Sequence, residues 1–103
     1  QVKTTRQGYT KKDNRLNVKV EKKSVIGIAS YLAPTYIVGI DELQEVGYLV
    51  SANGENLTSL SNLCTNFPIN KQNREKLWDE VNNFWQPYTQ NKQKNLSSKF
   101  KWR

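Results

Sequence analysis

The sequence predicts a mixed α/β (α+β) domain built around a mixed central sheet, with the element order β-β-α-β-β-(α)-α. Three observations carry that prediction. Residues 15–20 alternate polar and apolar with the period of two that a half-buried strand needs. Residues 35–40 form a nearly continuous apolar run, and a second apolar run at 46–52 follows after a short polar turn. Leu77, Trp78, Val81, Phe84 and Trp85 recur at the spacing that lines one face of a helix. At 103 residues, with 36% hydrophobic residues, the chain has room for one domain with a modest core.

Taken in order, Gln1-Val2-Lys3-Thr4-Thr5 is rich in strand formers and reads as the first strand. Gln7-Gly8-Tyr9 and Asp13-Asn14 bring turn chemistry to a polar, basic stretch. In the second strand Leu16, Val18 and Val20 turn to a core, while Arg15, Asn17 and Lys19 turn to water. These two strands are expected to pair as a hairpin across a long loop. Ser24 stands where it caps a helix, Val25, Ile26, Ile28, Ala29 and Leu32 cover one face of that helix, and Pro34 ends it. Gly27 inside the helix is unfavourable by about 1 kcal/mol against alanine, which a close helix–sheet contact would explain.

The run at 35–40 has the composition of a strand buried on both faces. Residues 46–52 are expected to be its hairpin partner, and Asn53-Gly54 marks the next turn. A short helix is expected at 56–64 on Leu57, Leu60 and Leu63, with Cys64 a small buried hydrophobe in it. Phe67-Pro68-Ile69 reads as an extended connector, Asn70 or Asn73 starts the last helix, and Pro87 closes it. Trp78, Phe84 and Trp85 are read as core, in preference to a platform for stacking bases, because of their helical spacing. Residues 1–86 are thus the folded core, and residues 87–103 a basic, flexible tail in which Tyr88, Phe100 and Trp102 alternate with cations. Lys99-Phe100-Lys101-Trp102-Arg103 has the charge and rings to meet a single strand or a membrane surface, but a flexible terminus or a docking segment is the preferred reading.

Charge and composition narrow the function classes. The net charge is +7 and unevenly spread. Residues 1–23 carry eight cations against two acids, residues 24–70 four acids and no cation, and residues 87–103 five cations and no acid. A basic patch beside an acidic body suits a polyanion, since phosphate contacts release counterions. Arg6, Lys11, Lys12 and Arg15 are the candidate nucleic-acid contacts. Solvation of an exposed face is the competing reading of the same charges. With no histidine and one cysteine, a zinc site and Ser-His-Asp or Cys-His catalysis are not expected. No run of about 18 apolar residues marks a membrane span, and the first residues lack the apolar core of a signal peptide. A cytoplasmic location and no membrane partner are expected. The chain has no methionine, which leads to the expectation of a processed product or a piece of a longer protein.

The opening Gln1-Val2-Lys3 resembles the (E/Q)-x-K strand of the PD-(D/E)XK nuclease superfamily. Pro34-Thr35-Tyr36-Ile37-Val38-Gly39-Ile40-Asp41 and Gly47-Tyr48-Leu49-Val50-Ser51 resemble segments of one bacterial branch of it, a domain-of-unknown-function family. The resemblance covers residues 1–52, and more weakly the helix ending Phe84-Trp85. It implies the second half of a restriction-endonuclease-like fold, incomplete at its N-terminal side, in an Mg²⁺-dependent DNA-processing domain. It further implies that the Gln1 amide oxygen and the Val2 carbonyl serve as metal ligands. Lys3 would activate water and stabilise charge beside Gln1 on one strand face. The Asp that the family takes from a preceding strand has no counterpart here. Asp13, Glu21, Asp41 and Glu42 stand elsewhere in the pattern, so the chain alone is not expected to cut DNA. A non-catalytic module that binds nucleic acid or protein is the alternative, and a purely structural domain a third. An unpaired strand edge also offers a route to oligomerisation.

Overall fold

The computed structural model describes residues 1–30, 32–53, 62–86 and 100. Its elements are β1 (Val2–Thr5), α1 (Lys22–Ala29), β2 (Tyr36–Asp41), β3 (Val46–Ser51) and α2 (Lys71–Phe84). The strands make one mixed sheet in the order β1-β2-β3. β1 runs parallel to β2, with Val2 opposite Val38 and Thr5 opposite Asp41. β3 returns antiparallel, with Ile37 opposite Val50 and Asp41 opposite Val46. The mixed sheet, the hairpin from the two apolar runs and a helix on each side of it in sequence agree with the α+β expectation.

The second expected strand is not there. Leu16, Val18 and Val20 are buried as their alternation requires, but the segment joins no strand of the sheet. Leu16 instead exchanges backbone hydrogen bonds with Leu63, at 2.8 and 2.9 Å. The long hairpin loop is replaced by a tight turn: Thr10 N–H donates to the Arg15 carbonyl at 2.7 Å, Asn14 adopts a left-handed φ of 49°, and Asn17 N–H donates to Gly8 O at 3.0 Å. A period of two fixes which side chains are buried and leaves open which backbone pairs with which. β2, with apolar residues on both faces, takes the centre of the sheet.

Parallel and antiparallel partners share a face, so Ile37, Gly39 and Asp41 of β2 lie on the same side as Lys3 and Thr5 of β1 and Val50 of β3. That side holds the main core of Leu16, Val18, Val20, Val25, Ile37, Val50, Ala52, Leu63 and Cys64. On the other side α2 docks through Asn73, Glu80 and Phe84, and Tyr36 Oη donates to Glu80 at 2.5 Å. β2 is therefore less uniformly buried than a strand covered on both faces: Tyr36, Val38 and Ile40 are half-exposed.

Four further expectations are corrected. α1 starts after Glu21, not at Ser24, and ends at Ala29, where Ser30 Oγ donates to the Gly27 carbonyl at 2.8 Å. Gly27 is exposed, and a Cβ placed on it meets nothing within 4 Å, so no close contact explains it. Asn62, Leu63 and Cys64 are not helical, although Leu63 and Cys64 are buried; the rest of the expected helix at 56–64 lies outside the described residues. Trp78 and Trp85, read as core, are 65% and 63% exposed.

The tail reading falls outside the described residues except at Phe100. That ring is fully buried against Tyr36 and Phe67, and its backbone N–H donates to Ser51 Oγ at 3.1 Å. A single apolar side chain between cations docks because the sheet offers it the Tyr36 ring and the Ser51 hydroxyl and the connector offers it the Phe67 ring. Of the two asparagines expected to start the last helix, Asn70 is the cap, its side-chain oxygen accepting from Asn73 N–H at 2.8 Å.

Candidate functional site

β1 carries Val2 and Lys3, and Gln1 immediately precedes it. Gln1 offers both backbone groups to β2: its nitrogen donates to the Tyr36 carbonyl at 3.0 Å and its carbonyl accepts from Val38 N–H at 2.8 Å. At the strand's other end Thr5 O accepts from Glu42 N–H at 3.0 Å. In a parallel ladder the alternate residues bond to the same neighbour. Gln1, Lys3 and Thr5 therefore face β2 with their backbone, and the peptide groups of Val2 and Thr4 point to the free edge of the sheet. The side chains alternate the other way: Lys3 and Thr5 are half-buried on the core face, Val2 and Thr4 exposed.

Beside that free edge lies a cleft of about 330 Å³. Lys3, Thr4 and Thr5 form one wall, Asn17, Val18 and Lys19 the other, and Gln7 joins them. Local hydrogen bonds hold its shape: Gln7 N–H donates to Thr5 Oγ1 at 3.1 Å, and Asn17 Nδ2 to the Gln7 carbonyl at 3.3 Å. Two ammonium groups, hydroxyls and carboxamides line it, with no carboxylate. Neither Lys3 nor Lys19 is ion-paired to a described residue. A recess with two unneutralised cations and short polar donors is complementary to phosphate oxygens.

The other sequence-derived candidates divide. Lys11 and Lys12 are exposed on the turn between Thr10 and Arg15. Arg6 is paired with Glu42, Nε to Oε2 at 3.3 Å. Arg15 is half-buried and its Nε donates to Asn62 Oδ1, which ties the turn to the segment that holds Leu63. Arg15 thus has a structural contact where a phosphate contact was expected. Gln1 is exposed but does not line the cleft. Lys19, Asn17 and Gln7 were missed as site residues. Lys19 was read as a solvent-facing position on a strand, and nothing in its local spacing signals that it comes opposite Lys3.

The fit to magnesium is a question of donor chemistry. Gln1 and Val2 offer an amide oxygen and a carbonyl, both neutral, and Val2 O does point to the free edge. A magnesium site usually rests on one or two carboxylates. Asp41 is 1% exposed, and its Oδ1 accepts from Leu43 and Gln44 N–H at 3.0 and 3.3 Å, closing the β2–β3 turn. Glu42 is engaged with Arg6, and Asp13 and Glu21 are exposed away from the cleft lining. Among the described residues no three carboxylate, cysteine or histidine side chains cluster as a metal would require. The described residues therefore do not make a magnesium site by themselves.

Two hydroxyls near these elements are strongly perturbed. Burial, the hydrogen bond with Tyr48 and the nearby Asp41 carboxylate push the Tyr9 phenol well above its ordinary value; its Oη lies 2.8 Å from Tyr48 Oη. Burial and the Glu80 carboxylate do the same to Tyr36. Both stay neutral and act as hydrogen-bonding links, not as nucleophiles.

Set against known proteins, the chain matches no family model, no curated protein and no solved structure.

Proposed function

We propose that this chain grips the phosphodiester backbone of DNA through the cleft between β1 and residues 17–19, as the lysine-bearing part of a PD-(D/E)XK-like DNA-processing domain. The observation that supports the reading is the pairing of Lys3 with Lys19 across a polar recess free of carboxylates. Lys11 and Lys12, exposed on the neighbouring turn, extend the positive surface. No helix among the described residues is long and apolar enough to cross a membrane. The cleft lining itself holds no carboxylate, although Asp13 shares the turn with Lys11 and Lys12 and Glu42 stands beside Arg6 at the end of β1.

The test is the salt dependence of binding to duplex DNA. Affinity is expected to fall steeply between about 50 and 200 mM salt. Replacing both lysines, Lys3→Ala with Lys19→Ala, is expected to lower the slope of log K against log salt by about 2, since each phosphate contact contributes about 0.9. An unchanged slope would overturn the cleft as the binding site.

Hydrolysis is the second reading, favoured by the Val2 carbonyl at the free edge beside Lys3. In it, Gln1 and Val2 would contribute two neutral oxygen ligands to a magnesium ion, which would polarise the phosphate, and the carboxylates such an ion also needs are absent from the cleft lining. Lys3→Ala in the protein as its cell makes it then abolishes Mg²⁺-dependent cutting and leaves the circular dichroism spectrum unaltered. Undiminished cutting would sink that reading, and salt-sensitive binding without any cutting would leave the chain a binding module.

A further inference from the structure

On the opposite side of the sheet from Lys3, a groove of about 150 Å³ runs between α2 and the strands. Tyr36 and Val38 of β2, Leu49 of β3, Ile69 of the connector and Leu77 of α2 supply its apolar lining. The nearby polar groups are engaged elsewhere. Tyr36 Oη donates to Glu80 at 2.5 Å, and Asn73 Nδ2 donates to the Pro68 carbonyl at 2.7 Å. Arg74 also lines the groove, yet the lining exposes no polar atom. Its aliphatic stem therefore forms part of the wall, and its guanidinium stands beyond it in water. Arg74 is exposed and ion-paired to no described residue, and the same holds for Lys71, three residues back on α2. Ile69 is 41% exposed and Leu77 half-buried, so the apolar lining is open to solvent.

We infer that this groove binds a small carboxylate carrying one apolar ring, with the ring among Val38, Leu49 and Leu77 and the carboxylate on Arg74. Volume sets the size, since a dry apolar cavity of about 150 Å³ takes a single benzene ring. Charge sets the head group. The planar guanidinium fork matches a carboxylate through two hydrogen bonds, and Lys71 and the N-terminal end of α2 add positive potential. Charge also sets the orientation. Glu80, the carboxylate bonded to Tyr36, lies six residues beyond Arg74, about 9 Å along the helix axis. The anionic head thus turns to Arg74 and away from Glu80. A nucleobase is disfavoured, because its polar edges would find no partner in a carbon lining. A second copy of the chain is disfavoured by a net charge of +7 on each and by two cations on this same face. The groove and the cleft beside β1 lie on opposite faces of the sheet, so the two readings fail independently.

The experiment titrates the isotope-labelled chain with phenylacetate and follows the backbone amide shifts by NMR. Saturable binding is expected with a Kd of about 1 mM, and the largest shifts at Val38, Leu49, Ile69 and Leu77. Benzyl alcohol keeps the ring and loses the charge, and is expected to bind about 5-fold more weakly. Acetate keeps the charge and loses the ring, and is expected to bind about 30-fold more weakly. Arg74→Gln is expected to lower phenylacetate affinity about 5-fold and to leave that for benzyl alcohol unchanged. Because Arg74 is exposed, this variant is expected to keep the fold. Leu77→Trp, which fills the groove, is expected to abolish binding of both. Unchanged phenylacetate affinity in Arg74→Gln would overturn the proposal, as would shifts confined to the residues of the β1 cleft. An absence of saturable shifts at about ten times the expected Kd would do the same. So would sedimentation showing a dimer that Leu77→Trp dissolves, since the occupant would then be a second copy of the chain.

Discussion

At Gly39 the sheet and its cover approach so closely that a single methyl group has no room. A Cβ there would lie 2.6 Å from Leu63 Cδ2 and 2.9 Å from Leu16 Cδ2. Those two leucines are the pair whose backbones exchange hydrogen bonds over the core. Gly39→Ala is therefore expected to lower the unfolding free energy by about 1–3 kcal/mol through overpacking, read as a lower urea midpoint at unchanged slope. Gly27 is the opposite case, exposed on α1 with open space around it. Gly27→Ala is expected to stabilise by about 0.4–1 kcal/mol, because alanine fits the helix and restricts the unfolded chain. The two substitutions are chemically identical, and their opposite signs come from what stands within 4 Å. Sequence spacing identified Gly27 as the glycine with a packing role; the packing role belongs to Gly39.

At the scale of elements, each helix shows how much of its position is local. α2 begins at the first of the two asparagines the sequence offers, because the Asn70 side chain satisfies a backbone N–H that the helix cannot. Asn73 adds a second anchor, its Nδ2 donating to the Pro68 carbonyl at 2.7 Å, which fixes the angle at which the chain enters the helix. Asn70→Ala is expected to reduce stability by about 1 kcal/mol, with the loss of helical ellipticity on heating setting in earlier. α1 lacks any side-chain cap and has one buried residue, Val25. Eight residues without a cap do not hold a helix alone, so its docking on the core decides its length. For the strands, Lys3 could be singled out from three residues of sequence and a resemblance. Its partner across the cleft, Lys19, could not, because their proximity depends on where residues 17–19 cross the edge of β1.

Across the whole molecule, two tyrosine links join the layers. Tyr9 meets Tyr48, joining the turn that carries Lys11 and Lys12 to β3, and Tyr36 meets Glu80, joining β2 to α2. Both phenols are held above their ordinary pKa of about 10. For an acid whose folded pKa is raised, the unfolded chain loses the proton first. Stability is then fully present below about pH 10 and falls as pH rises above it. The fold is expected to lose stability progressively above about pH 10, and the variant carrying Tyr9→Phe and Tyr36→Phe is expected to show a flatter alkaline limb, measured by urea unfolding at stepped pH. The same links tie the basic turn and α2 to one sheet.

By itself the sequence determined that Leu16, Val18 and Val20 are buried, that a β2–β3 hairpin forms, that the last helix starts at one of two asparagines, and that positive charge is concentrated near Lys3. These are local properties, set by side-chain period, capping chemistry and composition. The tertiary structure decided the rest. It paired β1 with β2 and not with residues 15–20, set Lys19 across from Lys3, drew Phe100 into the core and left Trp78 and Trp85 outside it. The physical reason is that burial can be satisfied by many pairings of the same apolar residues. The arrangement that forms is the one in which backbone hydrogen bonds and close packing are satisfied together, and that depends on contacts far apart in sequence.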